Sequence, residues 1–369
     1  MKIAVFGTSN SILKNGYVSG LRFSPYVDTV QQFCLGHSTS VSLPYTTKGV
    51  NFDDFDYCLV DFVVNEETFE KFPESHREIR NRLDFLISLL AEKKCVPVAM
   101  IMPVQIRVDK PLPVYRLYLE YFREHNFPVF DGYDALRRLM AGSDTPLPSY
   151  FRDPSHLSNW AATALGLALG EQLAAFADKL LDRRVSTVRG HTFGYVRFNP
   201  RHNRAIPVVT RKSALSTERF LRIGAEERIL FGIGEAEAVS GVGLNLGQTN
   251  WPLVVRSGEK RSPAFFGKEY FDPTEKRYLF VIRTMPELLA EENYVRLFLK
   301  PRPPRERESE AAPLPALIAE VNGVTVRYPQ TDLATCALVL KDDTAGDLVT
   351  PISDTFFRGV AMTALRLMA

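Results

Sequence analysis

Ser9 lies in Gly7-Thr8-Ser9-Asn10, directly after the apolar run Lys2-Ile3-Ala4-Val5-Phe6. A run of this kind predicts a strand buried inside a parallel sheet, which puts Ser9 at the strand's carboxyl end. In open α/β sheets that end faces the crevice where ligands gather. A serine hydroxyl is a weak nucleophile and needs a base, a group that orients the base, and donors for the oxyanion that forms. Asp153 and His156 stand three apart in Asp153-Pro154-Ser155-His156-Leu157-Ser158, a spacing that lets the carboxylate hold one imidazole nitrogen while the other faces Ser9. Gly36 and Asn65 follow the next two strand-like runs. With no side chain, Gly36 presents a backbone N–H at close range. Asn65 offers a side-chain amide, and with the Ser9 N–H these make three donors. The competing reading of Gly-x-Ser after a strand is a plain turn or helix cap.

The elements that must position these groups alternate. Val30–Leu35, Phe55–Phe62, Val96–Met102 and Pro128–Asp131 read as further strands. Ser75 with Glu78 fits a capping box ahead of Ile79, Leu83, Leu86, Ile87 and Leu90 at helical spacing. Val114–His125 reads as a second amphipathic helix, and an Ala- and Leu-rich helix runs from Asn159 to about Arg183. The βαβα alternation argues for a parallel sheet with helices on both faces. Tyr115, Tyr118, Tyr121 and Phe122, at helical spacing, read as core. Asp61 and Glu66 flank Asn65 and read as a strand-end and a helix-start carboxylate rather than a glycosidase or metal pair. His37 reads as a surface or supporting residue.

From about Gly190 the texture changes to short alternating runs with Gly, Pro and Asn between them. Leu317–Val321, Asn322-Gly323 and Val324–Tyr328 carry a type I′ hairpin signature, and Trp251–Arg256, Tyr278–Arg283 and Val295–Leu299 read as strands. A β-sandwich or jelly roll is expected, with the charged, Pro-rich stretch Pro301–Pro315 as a surface loop. Trp251, Phe265, Phe266, Tyr270 and Phe271 offer apolar faces for sugar rings or, alternatively, core aromatics. Gly232-Ile233-Gly234 lacks a βαβ context for a nucleotide loop. The expected boundaries are 1–187 for the catalytic domain and 188–369 for a β-rich accessory domain, with carbohydrate binding as its candidate role.

The chain has 369 residues and a formal charge of +2, with no long basic stripe, so nucleic acid is not an expected partner. Cys34, Cys58, Cys95 and Cys336 form no CxxC pair and read as free buried thiols, with no metal site and no cofactor expected. The sequence starts at the first strand without a signal-like region and holds no run of membrane-spanning length. A cytoplasmic protein is the expectation.

Gly7-Thr8-Ser9-Asn10, Gly36, Asn65 and Asp153-Pro154-Ser155-His156-Leu157 resemble, in order and spacing, the sequence blocks of the SGNH (GDSL-like) hydrolases. The resemblance covers about the first half of the chain. It implies a flavodoxin-like three-layer fold, Ser9 as nucleophile, Gly36, Asn65 and the Ser9 amide as oxyanion donors, His156 as base and Asp153 as its orienter. Two blocks depart from the family pattern: Gly-Asp-Ser is Gly-Thr-Ser here, and Gly-x-Asn-Asp is Val63-Val64-Asn65-Glu66. The expected function is a serine esterase acting on an O-acyl ester, O-acetyl above all, of a carbohydrate or small molecule. An O-acyltransferase (acetyltransferase) drawing on an acyl-CoA donor and modifying a polysaccharide is one alternative. A non-catalytic glycan-binding protein on a hydrolase scaffold is the other.

Overall fold

Five short segments build a parallel sheet in the computed structural model, which describes residues 1–70, 74–108, 112–141, 143–213, 216–263, 270–301, 316–341 and 354–368. The strands are β1 (Lys2–Gly7), β2 (Thr29–Gln32), β3 (Tyr57–Asp61), β4 (Val96–Ile101) and β5 (Val129–Asp131). Every residue of β3 and β4 is buried, as expected for strands covered on both faces. Their spatial order is β2-β1-β3-β4-β5, that of the flavodoxin-like α/β fold. The chain runs outward from β1 to β2 and returns on the other side with β3, so the order reverses between β1 and β3. Ser9 and Asn65 follow those two strands.

The helices of this part are α1 (Ser9–Ile12), α2 (Tyr17–Phe23), α3 (Leu43–Thr46), α4 (Val63–Phe69), α5 (Ser75–Leu90), α6 (Pro113–Glu124), α7 (Gly132–Met140) and α8 (Asn159–Ala177). Between α7 and α8 stand two very short strands, β6 (Phe151–Asp153) and β7 (His156–Leu157). Two helix ends differ from expectation. Glu74 occupies the cap position of α5 and Ser75 is already its first helical residue, so the capping-box register is one residue off. α8 stops at Ala177 instead of near Arg183, because the chain leaves the helix after Asp178 and Lys179 and enters β8 (Leu180–Arg197). Within α8 the Ala, Leu and Gly residues bury nearly the whole circumference, the pattern of a helix enclosed by its neighbours.

The remaining strands are β9 (Val208–Lys212), β10 (Thr217–Ile223), β11 (Arg228–Gly232), β12 (Ala238–Asn245), β13 (Leu253–Ser257), β14 (Lys260–Arg261), β15 (Phe280–Leu289), β16 (Tyr294–Leu299) and β17 (Ala319–Leu340). One sheet runs β15-β12-β17-β10-β9 with β8 on β17, and the other β11-β16-β13-β14, with antiparallel pairing. Leu221, Val242, Leu244, Val281 and Val324 from the first sheet share one apolar core with Phe231, Leu253, Val255 and Leu297 from the second. Alternating side chains from two inner faces make this a β-sandwich.

Two expectations for this half are corrected. Asn322 and Gly323 do not turn a hairpin; they lie inside the long strand β17. A Cβ on Gly323 would stand 2.6 Å from the Val196 carbonyl oxygen and 2.7 Å from the Tyr195 ring, so the glycine answers a close approach of backbone and ring rather than a turn. Asn322 is buried, and its Nδ2 donates to the Arg219 carbonyl (2.7 Å) and to Glu218 (3.1 Å). The domain division is not at 187/188 with everything after it in one domain. One unit comprises Met1–Gly190 with Asp332–Ala369, the other His191–Thr331. The Leu338 N–H donates to the His125 carbonyl (2.9 Å) and the Lys341 N–H to that of Lys179 (2.9 Å). The last helix, α9 (Asp354–Met368), buries Val360 and Ala364 and packs on α8 and α7. Finally, Trp251 and Tyr270 are partly buried against the sandwich core, which is the core-aromatic alternative, while Phe265, Phe266 and the loop residues 302–315 lie outside the described residues. No helix among the described residues is long and apolar enough to cross a membrane.

Candidate active site

In the run from Ile3 to Ser11 every residue is buried except Ser9. The chain leaves β1 at Gly7, turns at Thr8 (φ −115°, ψ −148°) and begins α1 with Ser9, which lifts this one side chain out of the core. Gly7 leaves room for the buried Ser11 side chain below the turn, since a Cβ there would fall 2.1 Å from Ser11 Oγ. Ser9 Oγ lies 2.8 Å from His156 Nε2. His156 Nδ1 lies 2.8 and 2.9 Å from the two carboxylate oxygens of Asp153. β6 and β7 pair Asp153 directly with His156 across the Pro154-Ser155 link, so the three-residue spacing becomes side-by-side placement.

The electrostatics keep Asp153 an acceptor. Burial raises the Asp153 carboxyl, but the Ser155 N–H (3.0 Å), His156 and Arg152 outweigh it and hold the group below the usual carboxylate range. With the hydrogen of a neutral imidazole on Nδ1, facing the Asp153 carboxylate, Nε2 is placed to accept from the Ser9 hydroxyl. A rival nucleophile nearby is silent. Burial first, with Asp61 adding to it, pushes Cys34 up to about 12, and its thiol donates to the Val5 carbonyl (3.2 Å).

Asn65 is buried in the first turn of α4, and its Nδ2 donates to the Ser38 carbonyl (2.8 Å). One amide hydrogen is thereby used to orient the group, and Nδ2 has a second. Gly36 is buried on the segment after β2, which continues alongside β1. The Phe33 N–H donates to the Val5 carbonyl (2.8 Å) and the Leu35 N–H to that of Gly7 (3.1 Å), which brings Gly36 level with the Ser9 turn. A Cβ on Gly36 would touch Ile12 of α1 at 3.4 Å. Next to it His37 holds φ of 57°, a left-handed backbone unusual for histidine. The structure thus joins Ser9, His156 and Asp153 by hydrogen bonds. It joins the Gly36 segment to Asn65 through Ser38, at the carboxyl ends of strands on either side of β1.

A supporting layer was invisible in the sequence. Ser11 Oγ donates to Asp61 (2.6 Å) and lies 2.8 Å from the Tyr17 hydroxyl, all three buried beneath the Ser9 turn. Glu66 accepts from the Ser40 N–H (3.1 Å) and hydroxyl, Arg82 Nε donates to Ser40 Oγ (2.9 Å), and Arg82 pairs with Glu70 at 2.5 Å. This buried ionic cluster pins the loop that carries Ser38 to the helix that carries Asn65. Asp61 and Glu66 are thus more than strand-end and helix-start carboxylates. The one available signal was a pair of acids flanking Asn65, and nothing local tied Arg82 to them.

Asp61 also sets a pH dependence of stability. Burial pushes its carboxyl up to about 7, with Ser11 and Tyr17 pulling the other way. The folded protein keeps this proton up to about 7, whereas the unfolded chain releases it near the ordinary value of 3.8. Across that window the folded state binds more protons, so stability falls as pH rises from about 4 to about 7. The expected result is a lower thermal midpoint at pH 8 than at pH 5, with a smaller difference in Asp61→Asn. An undiminished difference in that variant contradicts the assignment.

No family model and no curated protein matches the chain. Among solved structures it is similar to a two-domain esterase (CEX) active on acetylated mannans, with a TM-score of 0.56 and 12% identity over 89% of this chain and 91% of that one. A second structure of that esterase, co-crystallised with mannopentaose, gives 0.55 and 12% over 90% and 91%. Axe2, an acetylxylan esterase from Geobacillus stearothermophilus, gives 0.36 and 15% over 46% of this chain and 90% of that chain. The likeness to the two-domain esterase shows a shared fold over both halves, a flavodoxin-like parallel sheet with a β-sandwich following it. In the first half Ser9, Gly36 and Asn65 follow strands of the parallel sheet at its carboxyl edge, and His156 meets Ser9 there.

Proposed function

We propose that the chain is a serine esterase that removes O-acetyl groups from a carbohydrate through an acyl-Ser9 intermediate. The observation that carries this reading is the line Ser9 Oγ, His156 Nε2, His156 Nδ1, Asp153, with both links at 2.8 Å. Ser9 Oγ attacks the ester carbonyl as its proton passes to His156 Nε2. The carbonyl oxygen becomes an oxyanion facing the Asn65 amide and the Gly36 and Ser9 N–H groups. When the C–O bond to the alcohol breaks, the departing oxygen takes the proton from Nε2. Water then gives its proton to Nε2 as its oxygen adds to the acyl carbon, and the C–Oγ bond breaks with Oγ taking that proton back. Acetate and free sugar hydroxyl are the products. Asp153 stays ionised throughout and stabilises the imidazolium.

The carbohydrate part of the reading takes its lead from the two-domain esterase active on acetylated mannans, whose likeness extends over both halves of the chain. The test is the fate of a labelled acetyl group offered on a 4-nitrophenyl ester together with neutral oligosaccharides. The reading expects label in free acetate. Label mainly on the oligosaccharide would make the protein a transferase.

A further inference from the structure

We infer that a cavity of about 170 Å³ in the first half of the chain is the subsite for one neutral sugar ring of the ester's alcohol part. The inference rests on the esterase reading and names where its leaving group sits. The cavity is built on the reacting residues' own segments. Its wall includes Pro154 and Ser155, the two residues between Asp153 and His156, and Val63 and Val64, the two before Asn65. The turn Gln105–Arg107 closes another side and is tied to the catalytic link, since the Gln105 N–H donates to the Pro154 carbonyl (3.0 Å). A larger, more open depression of about 510 Å³ lies on α5 and α6, around His76, Arg80 and Arg116, and shares no segment with the catalytic groups.

The lining selects the occupant. Tyr115 and Tyr133 meet edge to face at 5.6 Å, and both hydroxyls are engaged, Tyr115 donating to Asp131 (2.6 Å) and Tyr133 accepting from the Val104 N–H (3.2 Å). For a ligand they offer ring surface and the Tyr133 O–H, and the rings with Val63, Val64 and Leu112 make apolar walls. Arg107 is half-buried in the wall and, among the described residues, forms no ion pair. Glu67 is near enough that Arg107 lowers its carboxyl, although burial is the larger effect and raises it, and its Oε1 accepts from the Tyr115 N–H (3.0 Å). A guanidinium that forms no ion pair among the described residues and a half-buried carboxyl make a poor bed for an acyl chain, because both would lose water without gaining hydrogen bonds. They suit hydroxyl groups, which donate and accept. A charged uronate is disfavoured, because Glu67 opposes what Arg107 attracts. The volume equals that of about six waters, more than an acetyl methyl fills and about right for a single ring.

The experiment compares wild type, Arg107→Ala and Arg107→Lys on an O-acetylated neutral oligosaccharide, on 4-nitrophenyl acetate and on 4-nitrophenyl octanoate. The expected result is that Arg107→Ala lowers kcat/KM for the oligosaccharide at least tenfold more than for 4-nitrophenyl acetate, mostly through KM, and that Arg107→Lys recovers part of it. Equal losses on the oligosaccharide and on 4-nitrophenyl acetate overturn the subsite and leave the esterase reading standing. A wild type that prefers octanoate, with Arg107→Ala changing only that preference, makes the cavity an acyl pocket and also overturns it. A wild type inert on all three esters removes the esterase reading and the subsite with it.

Discussion

Ser9→Ala is expected to lose on the order of 10³-fold or more in kcat/KM while unfolding at the wild-type temperature. The size follows from the step it removes. Without Oγ no acyl-enzyme forms, and only binding and the oxyanion donors remain to assist direct attack by water. Retained stability follows from position. Ser9 alone keeps exposure among residues 3–11, and its side chain is described by one hydrogen bond, to His156. The backbone hydrogen bond from the Leu13 N–H to the Ser9 carbonyl, 3.0 Å, is untouched by the substitution. Activity within tenfold of wild type in folded Ser9→Ala contradicts the assignment of the nucleophile.

Asn65→Ala is expected to lower kcat by roughly a hundredfold or more, about 3 kcal/mol, with KM little changed. A donor aimed at the oxyanion acts mainly in the transition state, where the charge has formed. The amide is held for that task before substrate arrives, because Ser38 takes one of its hydrogens and the Arg82, Glu66 and Ser40 cluster holds the Ser38 loop against α4. A change confined to KM would make Asn65 a substrate-binding residue instead.

The parts of the molecule legible in the sequence are those governed by short-range pattern. β3 and β4 declared themselves as continuous apolar runs because both their faces are covered, and Asp153-x-x-His156 because two strands of three and two residues bring close neighbours in sequence face to face. What was missed depends on contacts distant along the chain. Arg82 is 42 positions from Ser40, and nothing in the helix that bears it distinguishes a buried guanidinium from a solvent-facing one. Asn322-Gly323 misled for the opposite reason. Its local chemistry favours a turn, but the ring of Tyr195 and the backbone of Val196 fill the space beside Gly323, so tertiary packing overrides the local preference. The return of residues 332–368 to the first unit was hidden in the same way, since their tie to His125 runs across more than 200 positions through backbone groups that carry no sequence signal.

The central claim is that Ser9 is an activated nucleophile, and its most direct test is mass analysis of the full-length protein after exposure to an activated alkyl phosphonate. The account predicts a single adduct, mapped by peptide fragmentation to Ser9, that forms far more slowly in His156→Ala and not at all in Ser9→Ala. Folded wild-type protein that takes up no label, or takes it up equally after Ser9→Ala, would contradict it.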